Sequence, residues 1–377
     1  MEAADNRIVV HHVGGYGDFG PSEQLNALKD VHWVIYDIRE SAIKESKDLP
    51  VSHEFVQGCI GAKHAKGEFN VTEQESASSL LPTSSRAATY TAVTDRGMIE
   101  WGKHTRVKAE FEVDVVPLDE LVQTKHLAPP DFLSIDAQGA ELSILQGASR
   151  ALDENVLGIV LETEFSELYE GQGLFADISQ FLRGKGFRFC DLYSATRFNV
   201  YPFAPELMGK GFLTFGESLF LRERDVIRAP SQRVKLAAIA LAFDQLDYAM
   251  QVYSDQLSSA SQSPPAASYG RVLADVHKVF SEENSRAPPS RAWQDGAEVP
   301  RANGAVVAWA FAGLMAHSIA KKLFNRYSSR VAAVLNSSGL RAVANSQEAR
   351  DFKQRCKRRG VYSPWLDSAA EFGLRML

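Results

Sequence analysis

Three acidic side chains, Asp136, Glu162 and Glu164, stand where apolar segments end, and their type and spacing suit work on a hydroxyl proton. The stretch DFLSIDAQGAEL, from Asp131 to Leu142, closes an apolar run with Asp136 and starts a helix near Ala140, with Glu141 in its first turn. Further along, GIVLETEF closes another apolar run with Glu162 and Glu164. Carboxylates at neighbouring strand ends fit two tasks: a base beside a substrate hydroxyl, or oxygen ligation of a divalent cation such as Mg²⁺ by Asp136 and Glu162. An apolar strand gains no packing by ending in Asp-Ala-Gln-Gly, so Asp136 reads as functional. Glu141 is explained equally well by the helix dipole, which favours an acid in the first turn. Strand alternation puts Glu162 and Glu164 on one face, and an ion pair with a cation such as Arg150 is the structural alternative for either.

A second constellation lies near the start. VVHHVGGYGDFGP sets Gly15, Gly17 and Gly20 in the spacing G-x-G-x-x-G directly after an apolar strand. Glycine permits a tight turn and a nucleotide approach that a Cβ would block. Pro21 suits a first helical turn, where its missing N–H costs nothing. Asp37 closes the next apolar run, WVIYDI, where a carboxylate can accept both ribose hydroxyl hydrogens. A nicotinamide-dependent oxidoreductase is one reading of this pattern, although no Tyr-x-x-x-Lys constellation for hydride transfer follows it. Joint metal ligation by His11 and His12 is not expected, because adjacent strand residues face opposite ways.

The elements that must position these residues alternate along the first half. RIVVHHV, WVIYDI, HEFVQGCIG, FEVDVVPL, DFLSIDA, VLGIVLETEF and FRFCDLY read as strands. SEQLNALKD, SAIKESKD, DELVQTKHL, AELSILQGASRAL and ADISQFLRGKG read as helices between them. Short apolar strands separated by single amphipathic helices predict a doubly wound α/β domain with a mostly parallel sheet. GFLTFGESLFLRER reads as a late hairpin or edge strand. Beyond Arg228 the composition shifts to Ala, Ser and Gln, with a helical stretch KLAAIALAFDQLDYAMQVYSDQL that breaks around Phe243 to Leu246. Two domains follow: residues 1–228, and an α-helical region 229–377 whose SSASQSPPAASYG and SRAPPSRAWQDGAEVPRANG segments read as flexible linkers.

Two loops add binding candidates: Ser76, Ser78 and Ser79 in a polar turn, and ELYEGQGLF, which offers Tyr169 and Gln172 as a lid. RDFKQRCKRR, Arg350 to Arg359, carries six basic residues and one acid, a candidate for an anionic surface or partner.

Composition narrows the partners. With 41 Lys and Arg against 47 Asp and Glu, the net charge of −6 gives no global attraction to nucleic acid or anionic lipid. Three scattered cysteines, Cys59, Cys190 and Cys356, predict neither a disulfide framework nor a zinc site. No signal peptide is expected at MEAADNRIVVHH. The longest apolar run, AVVAWAFAGLMAHSIA from Ala305 to Ala320, falls short of the roughly 20 residues a spanning helix needs. A cytoplasmic location and no transmembrane segment are the expectations.

From Val10 to Arg224 the chain resembles the FkbM family of S-adenosylmethionine-dependent methyltransferases. The matches run in order: HVGGYGDFG, VIYDIRES, AKGEFNVTEQESASSL, VVPLDEL, DFLSIDAQGAELSILQGA and ETEFSELYEGQGLFADISQFLRGKGF. The resemblance implies a class I (Rossmann-like) methyltransferase fold, with S-adenosylmethionine across the strand ends. Gly14, Gly15 and Gly17 would lie beside its amino-acid portion and Asp37 on its ribose, with Asp136 also lining the site. It further implies methylation of a hydroxyl on a saccharide, glycolipid or secondary metabolite. Asp136 is the first candidate base and Glu164 the second, with Glu162 beside them, and Ser78, Ser79, Glu141 and Tyr169 are the candidates for holding the acceptor. Two positions depart from the family pattern: His12 stands where an acid is usual before the first Val-Gly, and Ser134 where a Lys is common before Ile-Asp. These departures prompt a third reading, a non-catalytic cofactor-binding scaffold whose helical region docks a partner or forms a homo-oligomer.

Overall fold

The computed structural model describes residues 7–14, 19–28, 30–38, 51–94, 97–200, 209–227 and 229–259, together with 273, 274, 276 and 277. Gly15, Gly17, SAIKESKD, the linker segments apart from Ser258 and Ser259, the apolar run 305–320 and the basic run 350–359 lie outside the described residues.

In chain order the strands are β1 (Ile8–Gly14), β2 (Val31–Asp37), β3 (Ser52–Gln57), β4 (Cys59–Ile60), β5 (Ala65–Thr72), β6 (Thr91–Thr94), β7 (Gly97–Glu100), β8 (Val107–Val116), β9 (Phe132–Asp136), β10 (Gly158–Glu164), β11 (Phe187–Leu192), β12 (Thr196–Phe198) and β13 (Phe212–Arg222). The α-helices are α1 (Trp101–His104), α2 (Leu118–Thr124), α3 (Glu141–Gly147), α4 (Ser149–Glu154), α5 (Phe175–Gly184), α6 (Pro230–Ala242) and α7 (Leu246–Ser259). Among the described residues the largest sheet has eight strands in the order β11-β13-β10-β9-β1-β2-β3, with β12 alongside β13. From β3 to β10 every pair is parallel, whereas β13 runs antiparallel to β10, β11 and β12.

The parallel strands β10, β9, β1 and β2 are mostly apolar because both faces are covered, whereas β3 at the edge is largely exposed. On one face Val9, Val13, Val34, Leu133, Ile135, Ile159 and Leu161 form a single core with Leu118 and Leu121 of α2, Ile144 and Leu145 of α3, Leu152 of α4 and Ile178 and Leu182 of α5. On the other, Trp33 stacks on Phe19 at 4.2 Å and donates its indole N–H to Asn26. Asn26 belongs to the helix expected after the glycine turn, which is a 3-10 helix, Gly20–Leu28.

Two strand assignments differ from expectation. FEVDVVPL, within β8, does not join the main sheet but a separate one of order β4-β8-β5. Its charges at alternate positions, Glu110, Glu112 and Asp114, cannot enter a sheet buried on both faces, and they remain exposed. GFLTFGESLFLRER, within β13, is not an edge: it lies between β10 and β11 and buries Leu219, Phe220 and Leu221.

The chain divides into two compact units, Met1–Ala240 and Leu241–Leu377. In the first, Asp131 at the start of β9 accepts the Val9 N–H at 2.9 Å and the Lys235 ammonium at 2.6 Å, which ties α6 to the sheet. In the second, the helical stretch breaks after Phe243 with Asp244 in the left-handed region, and Ser254 on α7 lies 2.8 Å from His277. No helix among the described residues is long and apolar enough to cross a membrane.

Candidate active site

The chain leaves β1 toward β2 and β3, then returns to lay β9 on the other side of β1. Such a reversal of winding opens a crevice at the carboxyl ends of the two strands. Gly14 and Asp136 face each other there in the strand register. Gly14 has φ +80°, and a Cβ on it would stand 1.8 Å from the Asp136 carbonyl oxygen, so no other residue fits this approach. Asp37 ends β2 one strand away, buried, with its carbonyl accepting the Gly58 N–H at 3.1 Å.

Asp136, Glu162 and Glu164 come together, and Gln138 joins the first two. Its Nε2 donates to Asp136 Oδ1 at 2.7 Å and to Glu162 Oε2 at 3.0 Å. Its Oε1 lies 2.9 Å from the Tyr169 hydroxyl, which is also 3.0 Å from the Ala77 carbonyl. Ser79 Oγ donates to the Gln138 carbonyl at 2.6 Å. Glu141, fully buried at the start of α3, accepts the Ala137 and Gly139 N–H groups at 2.9 and 3.2 Å through one oxygen. The four-residue turn from β9 to α3 is therefore fixed on both sides of Gln138, whose φ of +52° is rare for a side-chain-bearing residue.

Burial sets the protonation of this group. Loss of water pushes the Glu141 carboxyl up to about 7, partly offset by its backbone N–H partners and then raised again by Asp136. Glu162 retains some surface exposure, yet its carboxyl is desolvated and held well above the usual range, with Asp136, Glu164 and Glu217 adding like charge. Glu217 of β13 lies directly opposite Glu162 in the antiparallel register. Glu164 is held well up by burial first and by Glu141 second. Neither of its oxygens has a hydrogen-bond partner, and the Gln172 amide favours its charged form from outside hydrogen-bond geometry. A carboxyl group in that setting keeps its proton.

The expected acceptor loops converge on the same turn through their own framework bonds. Ser79 reaches Gln138, while Ser78 Oγ accepts the Thr72 N–H at 3.1 Å. Ser76 interacts with Gln74 instead, at 3.3 Å. Tyr169 is buried, and Gln172 Oε1 accepts both the Leu168 and Tyr169 N–H groups, which shapes the loop expected as a lid. Arg150 pairs with neither Glu162 nor Glu164. It donates to the Asp119 carbonyl at 3.0 Å, and the Asp119 carboxylate accepts the Arg150 and Ala151 N–H groups at the start of α4.

The two histidines face opposite ways. His11, pushed down to about 4 by burial, is neutral and lies between the Ala128 carbonyl at 2.9 Å and the Tyr36 hydroxyl at 3.0 Å. His12 packs edge-on against Phe19 at 5.0 Å and places Nδ1 2.9 Å from Ser134 Oγ, its register partner on β9. The two departures from the family pattern are thus one hydrogen-bonded pair. Among the described residues no group of three or more His, Cys, Asp or Glu side chains converges to hold a metal ion.

Gln138, Glu217 and the His12–Ser134 pairing escaped the sequence reading. An amide set among acids in DAQGAE was the available signal for the first, since an amide can donate to two carboxylates at once.

Residues 24–189 match the family described as the methyltransferase FkbM domain. The match takes in Asp37, Asp136, Gln138, Glu141, Glu162, Glu164 and Tyr169. No curated protein matches the chain.

Proposed function

We propose, from the premise that residues 24–189 form a class I methyltransferase domain of the FkbM family, that the protein is an O-methyltransferase using S-adenosylmethionine, with a saccharide, glycolipid or secondary-metabolite hydroxyl as acceptor. The observation that carries this reading is the meeting of Gly14 and Asp136 at the reversal of the sheet, beside three further carboxyl groups. S-adenosylmethionine brings an electrophilic methyl carbon on a positively charged sulfur, together with an ammonium group. The residues present fit such a donor. The Gly14 backbone offers an approach that a Cβ would fill, and the hydrogen bonds to the acidic group come from the Gln138 amide and the Ala137 and Gly139 N–H groups.

Asp37, at the end of β2, is assigned to the ribose hydroxyls and the Gly14 turn to the amino-acid portion. Alignment of the acceptor oxygen with the methyl carbon and sulfur is the larger part of the catalytic task. A hydroxyl also needs somewhere to leave its proton. Glu164 already holds a proton, so it is a poor resting-state base. Asp136, partly exposed at the strand end, receives the acceptor proton as the oxygen attacks. Ser78, Ser79, Glu141 and Tyr169 support the acceptor side by fixing the turn and loops around it.

Calorimetric titration tests the donor. S-adenosylmethionine and S-adenosylhomocysteine should bind the wild type, with Asp37→Ala weakening both, while NAD does not bind. Tight NAD binding with none for S-adenosylmethionine would overturn the reading in favour of an oxidoreductase. Labelled methyl transfer to glycan extracts, lost in Asp136→Ala, tests the acceptor class.

A further inference from the structure

We infer that Gln138 is a positioning residue that stands where a divalent cation would otherwise bridge Asp136 and Glu162. The inference rests on the methyl-transfer reading for its purpose, but its geometry is independent of that reading. An amide nitrogen carries two hydrogens, and here one points at each carboxylate, at 2.7 and 3.0 Å. An ionised Asp136 only accepts, so Nε2 must face it. Reversing the amide would set its oxygen against both carboxylates and its nitrogen against the Tyr169 hydroxyl.

The placement is enforced by the surrounding chain. Tyr169 holds Oε1, Ser79 holds the carbonyl, and Glu141 holds the N–H groups of the residues on either side. Together they keep Gln138 at φ +52°, a conformation that a side-chain-bearing residue leaves unless it is held. A cation coordinated by Asp136 and Glu162 would need both oxygens within about 2.0–2.6 Å of itself, which is the space the amide nitrogen fills. The two choices differ in charge. A divalent ion would require both carboxyl groups to be ionised, whereas the neutral amide ties them together without demanding that both lose their protons.

Gln138→Glu replaces the donor by a third carboxylate of the same size, and Gln138→Met keeps the volume without hydrogen bonding. Thermal unfolding and calorimetry with MnCl₂ or MgCl₂ as the probe read the result. The wild type and Gln138→Met should be unmoved by Mn²⁺, whereas Gln138→Glu should bind it about tenfold or more tightly than the wild type and melt higher in its presence. An equal Mn²⁺ shift in wild type and Gln138→Glu, or a Mn²⁺-insensitive Gln138→Glu that remains folded, overturns the inference. In methyl-transfer assays Gln138→Met should keep its S-adenosylhomocysteine affinity but lower kcat and move the pH profile. An unchanged profile would reduce the residue to a structural one and sink the positioning role. Because the metal readout needs no turnover, loss of the methyltransferase reading would leave it standing.

Discussion

Replacing Gly14 by alanine drives a methyl group into space that the neighbouring strand already fills. An ideal Cβ at Gly14 lies 1.8 Å from the Asp136 carbonyl oxygen and 2.8 Å from the carbonyl carbon, against a comfortable contact of about 3.5 Å. Strands β1 and β9 must therefore part at the reversal of the sheet. The residue also keeps φ +80°, a left-handed conformation costing a non-glycine residue about 1–2 kcal/mol. Forcing atoms into a packed region adds about 1–3 kcal/mol, so the whole change costs about 2–5 kcal/mol. Gly171 separates the two contributions, because it has φ +70° and nothing within 4 Å of its Cβ position. Gly171→Ala should cost the conformational part alone, about 1–2 kcal/mol. At about 2–4 °C per kcal/mol for a domain of this size, Gly14→Ala should melt roughly 4–20 °C below the wild type and Gly171→Ala roughly 2–8 °C below. Circular dichroism melts, with and without S-adenosylhomocysteine, measure both effects. The ligand should raise Tm for the wild type and Gly171→Ala but not for Gly14→Ala, since a ligand stabilises only a protein that binds it. Equal losses in the two variants, or full ligand stabilisation of Gly14→Ala, would refute the close approach as a cofactor cradle.

Stability should fall as pH rises from 4.5 to about 7, because Glu141 binds its proton more tightly folded than unfolded. Glu141→Gln should therefore gain stability relative to the wild type at pH values above that window, and a melt series with identical slopes for both proteins would contradict the assignment. Ser134→Lys alone should cost several kcal/mol by burying an unpaired charge against His12, and adding His12→Asp should recover part of it; additive losses in a double-mutant cycle would show that the two positions are not coupled.

The parallel half of the fold was legible because burial on both faces leaves mostly apolar runs such as Val31–Tyr36 and Phe132–Ile135, each interrupted by a single polar residue, His32 and Ser134. Asp136 stood out because an apolar strand has no packing reason to end in Asp-Ala-Gln-Gly, and Glu162 because it closes the next apolar run; both meet at the Gln138 amide. The β8 assignment failed on information that was in plain view: alternation of Glu110, Glu112 and Asp114 with apolar residues marks a strand with one wet face, not one inside a covered sheet. Arg150 could not be placed, because its partner Asp119 lies 31 positions away on another helix. Gln138 was missed for the same reason, since the Tyr169 and Ser79 contacts that fix it come from 31 and 59 residues away and leave no periodic trace.

Long-range pairing also changes the meaning of the two departures from the family pattern. Read singly, His12 where the resemblance implies an acid and Ser134 where it implies a Lys would each remove a charge. The register sets them directly opposite one another on β1 and β9, with Nδ1 and Oγ 2.9 Å apart and both residues buried. An acid facing a lysine there would be a buried ion pair, and loss of either partner alone would strand the other charge at several kcal/mol. A neutral imidazole facing a hydroxyl satisfies the same two positions without any charge to desolvate. Each change thus compensates the other, and the pair is a repacked support beneath the crevice, two residues short of Gly14 and Asp136.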